Sequence, residues 1–333
     1  MLELWEREGA FAALEAFLDD EGFWSGDDVA QVYLGYGLAG SGPPEPCRLP
    51  LLACRLRPCN SLLQGRGGFV VGEWDRSWTD EGYAAAIEAV RDAIERGDVY
   101  QVNLVQHLAA DFAGDPFAVA DALAPLRPLA APFVTPGWAV VSASPELFLQ
   151  RRGTLVRTAP IKGTRPLGEP IDSAKDDAEH VMIVDLERND LSRVCVPGSV
   201  RWPELMAERE LAGVTHLVST VEGTLRDDVT LAELLEATFP GGSVTGAPKL
   251  AALEHIARLE PVGRGASMGA LGTLYPNGDL DLALTIRTFA IADERIHLWV
   301  GGGIVWDSEP EAEIEESWVK ARPLLDALRV PVA

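Results

Sequence analysis

The feature of this sequence that most restricts its fold is a series of β-rich runs separated by short turns. Two of the runs are joined by the tight turn Pro276-Asn277-Gly278. Parallel neighbours would each need a crossover of about a dozen residues or more, so short turns favour antiparallel pairing. The runs therefore predict antiparallel sheet, with strands within 100–110, 137–144, 216–225, 268–275, 279–291 and 295–300.

Amphipathic segments lie between and beside these runs. The first opens with the cap-like pair Thr79-Asp80 and places apolar residues on one face. The last has the spacing of a capping box, from Ser308 to Glu311. The segments predict an α+β fold, with helices beside antiparallel sheet, and the helices are expected at 79–98, 174–191, 230–238, 247–259 and 308–328.

Charge and hydropathy restrict the partners. The chain has 51 acidic against 28 basic residues and a formal net charge of -23, which argues against a nucleic-acid partner. No apolar run is long enough to span a bilayer, and the acidic beginning MLELWEREGAF does not resemble a signal peptide. The sequence predicts a cytoplasmic protein that binds neither nucleic acid nor membrane.

Carboxylates are grouped on two of the predicted helices. Glu313, Glu316 and Lys320 share one side of the last helix, for which a solvated face is the simpler interpretation. Asp176 and Glu179 lie one turn apart on a helix rich in apolar residues, so their charges face desolvation unless a cation meets them. Mg²⁺ would suit oxygen ligands of this kind, although an arginine would serve equally well.

Two glycine-rich segments, 240–249 and 301–304, bring backbone N–H groups close to whatever they face and are typical of anion cradles. The first nearly matches a phosphate-binding loop, but Ala247 stands where that loop requires lysine, so nucleotide binding is disfavoured. Lys162 lies between an apolar run and a glycine. It could act as a nucleophile only when neutral, and a surface charge is its simpler interpretation.

Taken together, these segments resemble the chorismate-utilising enzymes, which include anthranilate synthase component I, aminodeoxychorismate synthase component I, isochorismate synthases and salicylate synthases. The resemblance runs from about Tyr100 to Leu325 and is carried, in order, by YQVNL, SPELF, PIKGT, AEHVMIVDLERNDLSRV, THLVSTVEGTL, FPGGSVTGAPK, TIRT and GGGIVWDSEPEAEIEES. It implies a single large α+β domain with two antiparallel sheets packed face to face and helices outside. Residues 1–75 would then be a short N-terminal portion of the same fold, and 76–330 the chorismate-binding catalytic domain.

The resemblance also implies the residues of the site. For Mg²⁺ it indicates Glu179 and Glu316, with Asp176 and Glu313 as further or alternate ligands. The implied catalytic residues are Lys162, Glu146 as general acid, and His216, whose role stays open. The implied substrate-binding residues are Gln101, Thr164, Ser243, Thr245, Arg287, Gly301, Gly302, Gly303 and Lys320.

Two positions indicate which reaction of the family to expect. Gln101 stands where members that add water to chorismate carry a lysine base, which favours ammonia as the nucleophile. Lys162 stands where anthranilate synthases resemble PIAGT and aminodeoxychorismate synthases carry lysine. The resemblance is therefore closest to aminodeoxychorismate synthase component I, which makes 4-amino-4-deoxychorismate for p-aminobenzoate and folate or for a secondary metabolite.

Ammonia would come from a separate glutamine amidotransferase subunit, because none of the four cysteines lies in a glutaminase-type turn. Two alternatives are an anthranilate synthase-like lyase and a catalytically silent chorismate-binding protein. Ser267 departs from the family, which has an aromatic residue there, and we expect this to affect how the substrate is held.

Overall fold

The structure is a computed structural model that describes residues 1–40, 42–59, 67–166, 174–211 and 214–329, with the backbone alone at 164–166, 174–178, 210, 211 and 214. All five predicted helices are confirmed, and the described residues form two more, at Ala10–Asp20 and Pro116–Leu123. None of the described helices has the length and apolar character needed to cross a membrane. The helices are α1 Ala10–Asp20, α2 Asp80–Glu95, α3 Pro116–Leu123, α4 Ala174–Ser192, α5 Leu231–Thr238, α6 Lys249–Leu259 and α7 Pro310–Ala327.

The capping box predicted at the start of α7 is wrong. The N-cap residue is Glu309, whose side chain makes no capping hydrogen bond. Ser308 instead donates its hydroxyl to Glu313 Oε1 at 2.6 Å and accepts the backbone N–H of Val305 at 3.1 Å. The spacing to Glu311 was therefore coincidental, and the serine holds a buried carboxylate in place.

The strands pair antiparallel throughout the described part of the chain. They are β1 Leu2–Leu4, β2 Asp28–Leu34, β3 Leu52–Pro58, β4 Phe69–Val71, β5 Asp75–Arg76, β6 Gln101–Gly114, β7 Phe133–Val134, β8 Trp138–Ser142, β9 Leu147–Arg152, β10 Leu155–Ala159, β11 Ile161–Pro166, β12 Arg201–Leu211, β13 Val214–Thr224, β14 Gly246–Ala247, β15 Ala270–Leu274, β16 Leu280–Leu284, β17 Thr288–Ala292 and β18 Arg295–Ile304.

These strands form two sheets. The larger runs β1-β3-β2-β15-β16-β9-β10-β13-β11, with β12 also paired to β13. The smaller runs β14-β6-β18-β17-β8-β7, with β4 and β5 also on β6. The N-terminal strands thus continue the larger sheet through the β2–β15 pair. The predicted boundary between an N-terminal portion, 1–75, and a catalytic domain, 76–330, stays a prediction.

Alternation along the smaller sheet shows how the layers pack. In β8, Val140 joins the core between the sheets, while Ala139 and Val141 face the outer layer formed with α7 and α3. The inner core also contains Leu149 and Leu282 of the larger sheet. Successive side chains of a strand point to opposite faces of the sheet, so a sheet that is covered on both sides needs apolar residues at consecutive positions. The predicted α+β class, with two antiparallel sheets face to face and helices outside, is confirmed.

The predicted strand 279–291 is in fact two strands in different sheets. β16 lies in the larger sheet and β17 in the smaller one, and the chain crosses between them at residues 285–287. Arg287 adopts a left-handed φ of 50° at this crossing. A non-glycine residue at positive φ is uncommon, and such residues are often found at functional sites.

A buried ion pair joins three segments of the fold. Arg264 and Glu260, which follow the end of α6, have side chains 1% and 2% exposed, and Arg264 Nη2 lies 2.7 Å from Glu260 Oε1. Arg264 also donates to the carbonyl oxygens of Val244 and Asn103, while Glu260 accepts the backbone N–H of Val105. Since removing one partner would leave an uncompensated buried charge, the pair fixes β6 and the turn at residues 242–244 relative to α6.

A second buried polar group consists of two stacked histidines. His107 Nδ1 forms a hydrogen bond with Ser77 Oγ at 2.6 Å, and His107 Nε2 lies 3.0 Å from His297 Nδ1. Burial, followed by the charge of His297, lowers the pKa of His107 to about 3. Burial, followed by the charge of Arg295, lowers the pKa of His297 to about 4. Both rings are therefore neutral in the folded protein near pH 7.

We expect this pair to make stability depend on pH. Because the folded pKa of each ring lies below the unfolded value of about 6.5, the stabilisation is complete above pH 6.5 and is lost as the pH falls towards 4. Between pH 7 and pH 5, protonation of each ring in the unfolded chain should lower the free energy of unfolding by ~2 kcal/mol. Urea unfolding of the wild type and of a His107→Gln, His297→Gln double variant measures this, and equal pH slopes in the two proteins would contradict it.

Candidate active site

Glu146 and Arg287 lie on two neighbouring crossings between the sheets. The chain passes from β8 to β9 at residues 143–146 and from β16 to β17 at residues 285–287. The crossings are bonded to each other, because Ala143 N donates to Arg287 O at 2.9 Å and Leu284 N donates to Glu146 O at 3.0 Å. Two residues far apart in sequence are thereby held side by side where the sheets meet.

The Glu146 carboxyl is almost fully enclosed. Its side chain is 4% exposed, and Oε1 accepts the hydroxyl of Ser243 at 2.6 Å. Burial raises the pKa of this carboxyl, whereas the Ser243 hydrogen bond, Lys162, the backbone of Ile161 and Arg287 act in the opposite direction. Burial therefore favours the acid form of this carboxyl, which is the form that a general acid needs.

Lys162 lies at an irregularity in β11. It pairs with Leu217 of β13, but the next pair joins Thr164 to His216, so Gly163 is an extra residue with a φ of 60°. The Lys162 ammonium is 3.9 Å from Glu179 Oε2 on α4, and the two side chains are 13% and 14% exposed. The bulge therefore turns a largely enclosed amine towards the carboxylate of the neighbouring helix.

His216 is buried beside the same bulge. Its Nδ1 lies 3.3 Å from Gly163 O. Burial, followed by the charge of Arg287, lowers the pKa of His216, which the contact with Gly163 O opposes. The pKa of Arg287 is itself lowered by burial, and the charge of Glu146 opposes this. Within the described residues the Arg287 guanidinium makes no hydrogen bond, so it can take an anionic ligand.

A second group of charged side chains surrounds the glycines of β18. Lys320 donates to Gly301 O at 2.8 Å and lies 2.7 Å from Glu316 Oε1. A Cβ on Gly302 would stand 3.3 Å from Glu313 Oε2, 3.4 Å from Lys320 Nζ and 3.5 Å from Glu316 Oε1. Two carboxylates and an ammonium therefore lie close to the backbone at Gly302, where a larger residue would crowd them.

β6 lies between the two groups. It pairs with β18 on one side and with β14, which follows Ser243 and Thr245, on the other. Gln101 at its start is fully buried, and neither atom of its amide has a hydrogen-bond partner among the described residues. Thr245 is also buried, but its hydroxyl donates to Gly241 O and Gly242 O at 3.2 Å. An enclosed amide without partners indicates a place where a ligand can bond.

The structure thus brings most of the predicted residues into two groups. The first holds Glu146, Lys162, Glu179, His216, Ser243 and Arg287, and the second holds Glu313, Glu316, Lys320 and Gly301–Gly303. The side chains of Thr164 and Asp176 lie outside the described residues. Over the side chains that are described, no three His, Cys, Asp or Glu residues are grouped closely enough to hold a metal ion.

Sequence reasoning missed two buried carboxyls on α4. Glu187 and Asp190 are 4% and 3% exposed. They follow the fully buried Ile183 by four and seven residues and so share its helical face. The spacing from Ile183 can be seen in the sequence. However, charged residues on a helix are usually exposed to solvent, so the sequence does not indicate that these two are buried.

Comparisons with known proteins show what this chain is similar to. The family profile described as chorismate binding enzyme matches residues 60–326. Aminodeoxychorismate synthase component 1 of Escherichia coli is 40% identical over 272 residues, 78% of this chain and 60% of the relative. Anthranilate synthase component 1 of Thermus thermophilus is 42% identical over 270 residues, 76% of this chain and 58% of the relative. This chain therefore spans about 60% of the length of such relatives.

A solved structure is similar as well. The crystal structure of anthranilate synthase component I from Streptococcus pneumoniae superposes with a TM-score of 0.78 at 25% identity, and the match covers 90% of this chain and 80% of the other. The predicted resemblance to the chorismate-utilising enzymes is confirmed by these matches.

We expect Ser243→Ala to raise the pKa of Glu146, because the Ser243 hydroxyl stabilises the ionised carboxylate. Carbon-13 NMR titration of the glutamate carboxyls measures this, with Glu146→Gln to assign the signal. Ser192→Ala is a matched control, since that exposed hydroxyl bonds only its own helix, at Arg188 O. An unchanged titration midpoint in Ser243→Ala would show that the hydrogen bond does not control this carboxyl.

Proposed function

Because this chain belongs to the chorismate binding enzyme family, we propose that it is an aminodeoxychorismate synthase component I, which converts chorismate and ammonia to 4-amino-4-deoxychorismate. Relatives near 40% identity include both aminodeoxychorismate synthases and anthranilate synthases, so the choice between the two reactions rests on the site. The observation that carries the choice is Lys162, an enclosed amine in the same group as Glu146, Ser243 and Arg287.

In the proposed reaction the neutral amine of Lys162 attacks C2 of the ring, and both conjugated ring double bonds shift by one position as the bond between C4 and its hydroxyl breaks. Glu146 gives its proton to that hydroxyl, which departs as water. Ammonia then attacks C4, both double bonds shift back, and the bond between C2 and the Lys162 nitrogen breaks, which releases the lysine as the neutral amine. The enolpyruvyl group is retained throughout. An ammonium is not nucleophilic, so Lys162 must lose its proton before it attacks.

The burial of Glu146 supports its role as the acid. A carboxyl on the surface would be ionised near pH 7, whereas burial raises the pKa of Glu146 and favours the protonated form. Arg287 and Lys320 are proposed to receive the substrate carboxylates, together with N–H groups of Gly301–Gly303. Charge-assisted bonds of this kind would let a dianion bind to a chain whose net charge is -23.

Glu179 and Glu316 are proposed as Mg²⁺ ligands, with Glu313 and Asp176 as further ligands. Glu313 Oε2 and Glu316 Oε1 both lie within 3.5 Å of the position that a Cβ on Gly302 would take, and carboxylate oxygens are the ligands that a hard cation prefers. Such an ion would neutralise a carboxylate of the substrate. The residues of the chain would still supply the nucleophile and the proton.

The ammonia is proposed to come from a separate glutamine amidotransferase, since the similar proteins are named component 1. The enclosed amide of Gln101 supports ammonia over water, because a neutral amide cannot act as the base that takes a proton from water. Chorismate, Mg²⁺ and ammonium with mass-resolved product analysis test the proposal. Anthranilate with release of pyruvate would instead establish the lyase reaction, and binding without turnover a silent protein.

Lys162→Ala should slow aminodeoxychorismate formation by on the order of a hundredfold or more, because it removes the nucleophile. Lys162→Arg separates charge from nucleophilicity, since arginine keeps the positive charge next to Glu179 but cannot form the adduct. Both variants should be slowed to a similar extent in a steady-state assay and should fold normally by circular dichroism. Substantial activity in Lys162→Arg would mean that a positive charge suffices and the covalent route is wrong.

Glu179→Gln and Glu316→Gln should each raise the Mg²⁺ concentration needed for half-maximal activity by about tenfold or more, because an amide is a weaker ligand for a hard cation. Glu315→Gln is the matched control. It is the neighbouring exposed carboxylate of α7 and pairs with Arg322. Equal Mg²⁺ titrations in Glu315→Gln and Glu316→Gln would remove Glu316 from the ligand set.

A further inference from the structure

Glu187 is a buried carboxyl that the proposed reaction does not use. It lies on α4, eight residues after Glu179, and is 4% exposed. Its Oε1 accepts the backbone N–H of Gly242 at 2.9 Å. The carboxyl thus binds the backbone of one turn, the short helical segment Gly242–Val244.

The same turn carries the residue that contacts the proposed acid. Ser243 follows Gly242 directly and donates its hydroxyl to Glu146 Oε1 at 2.6 Å. Two buried carboxyls therefore accept hydrogen bonds from consecutive residues. Glu187 accepts the backbone N–H of Gly242, and Glu146 accepts the side-chain hydroxyl of Ser243. Any movement of Gly242 away from Glu187 would also move Ser243 relative to Glu146.

Packing leaves this turn little freedom. A Cβ on Gly242 would stand 2.8 Å from Leu186 Cδ2 and 3.0 Å from Glu187 Oε1, so α4 lies directly against the turn. A second contact from α4 fixes the flanks of the segment, because Lys249 bonds both Asp190 and Pro240 O. Glycine at 242 is required by this close approach.

The charged groups around Glu187 affect its protonation state, but the hydrogen bond from Gly242 does not depend on that state. It faces Asp190, Lys249 and Glu146. Burial, followed by the charge of Asp190, raises the pKa of Glu187 to about 7, although Lys249 and the Gly242 N–H lower it. Either protonation state keeps an oxygen able to accept the N–H of Gly242. The bond is therefore retained across the neutral pH range.

We infer that Glu187 is a positioning residue, which holds the Gly242–Val244 turn where the Ser243 hydroxyl reaches Glu146. This rests on the proposed function, in which Glu146 is the acid. Glu187 touches neither the substrate nor the reacting atoms and acts only through Ser243. Its side-chain oxygen matters and its charge does not, so glutamine can replace it and an apolar side chain cannot.

The experiment compares Glu187→Gln with Glu187→Leu in steady-state kinetics with chorismate, Mg²⁺ and ammonium. Glu187→Leu should lower kcat by about tenfold and change KM by less than about twofold, because the loss concerns proton donation and not binding. Glu187→Gln should restore kcat to within about threefold of the wild type. In a Glu187→Leu, Ser243→Ala double variant, kcat should equal that of Ser243→Ala alone.

Val184→Ala is the control for general loosening of α4, since Val184 is a buried residue of the same helix that packs in the inner core. A kcat for Glu187→Leu no lower than for Val184→Ala, a Glu187→Gln variant as slow as Glu187→Leu, or additive effects with Ser243→Ala would each overturn the inference. Amide hydrogen exchange of residues 242–244 tests it independently of turnover. Exchange should be faster in Glu187→Leu than in Glu187→Gln, and equal rates would refute the positioning role even if the proposed reaction were wrong.

Discussion

The buried ion pair between Arg264 and Glu260 is the interaction on which the site depends. Two charges removed from water are tolerated only where their remaining donors and acceptors are satisfied, and here they bond the backbone at Asn103, Val105 and Val244. Those three residues belong to β6 and to the turn before β14. The pair therefore sets the distance between the strand that carries Gln101 and the turn that carries the hydroxyl on the proposed acid.

The candidate catalytic groups lie where the chain leaves one sheet and enters the other. A residue within a strand is committed to a ladder and to one face, whereas a residue at a crossing can turn its side chain into the space between layers. Glu146 and Arg287 both occupy crossings, and backbone hydrogen bonds join these crossings. Lys162 achieves a similar freedom through a bulge at Gly163. Three local departures from regular sheet thus produce one cluster.

Charge in this protein is organised locally. The chain as a whole is strongly acidic, yet Lys162, Arg287 and Lys320 are gathered at the candidate site, and two of them already lie beside the carboxylates of Glu179 and Glu316. A bound dianion and a divalent cation would exchange these internal pairs for new ones. Binding of both would then cost little in uncompensated charge, so the acidic composition does not argue against the proposed reaction.

The sequence by itself determined the fold class and five of the described helices, and it supplied most residues of the candidate site, because hydrophobic period and ordered motifs are local properties. It did not show that residues 279–291 divide between two sheets, since both halves are equally apolar and only the packing of layers separates them. Nor did it single out Glu187, whose burial depends on the turn at Gly242 that α4 meets only in the folded chain. Burial and desolvation are set by neighbours distant in sequence, and therefore only the tertiary structure decided which charged side chains are enclosed and what they hold.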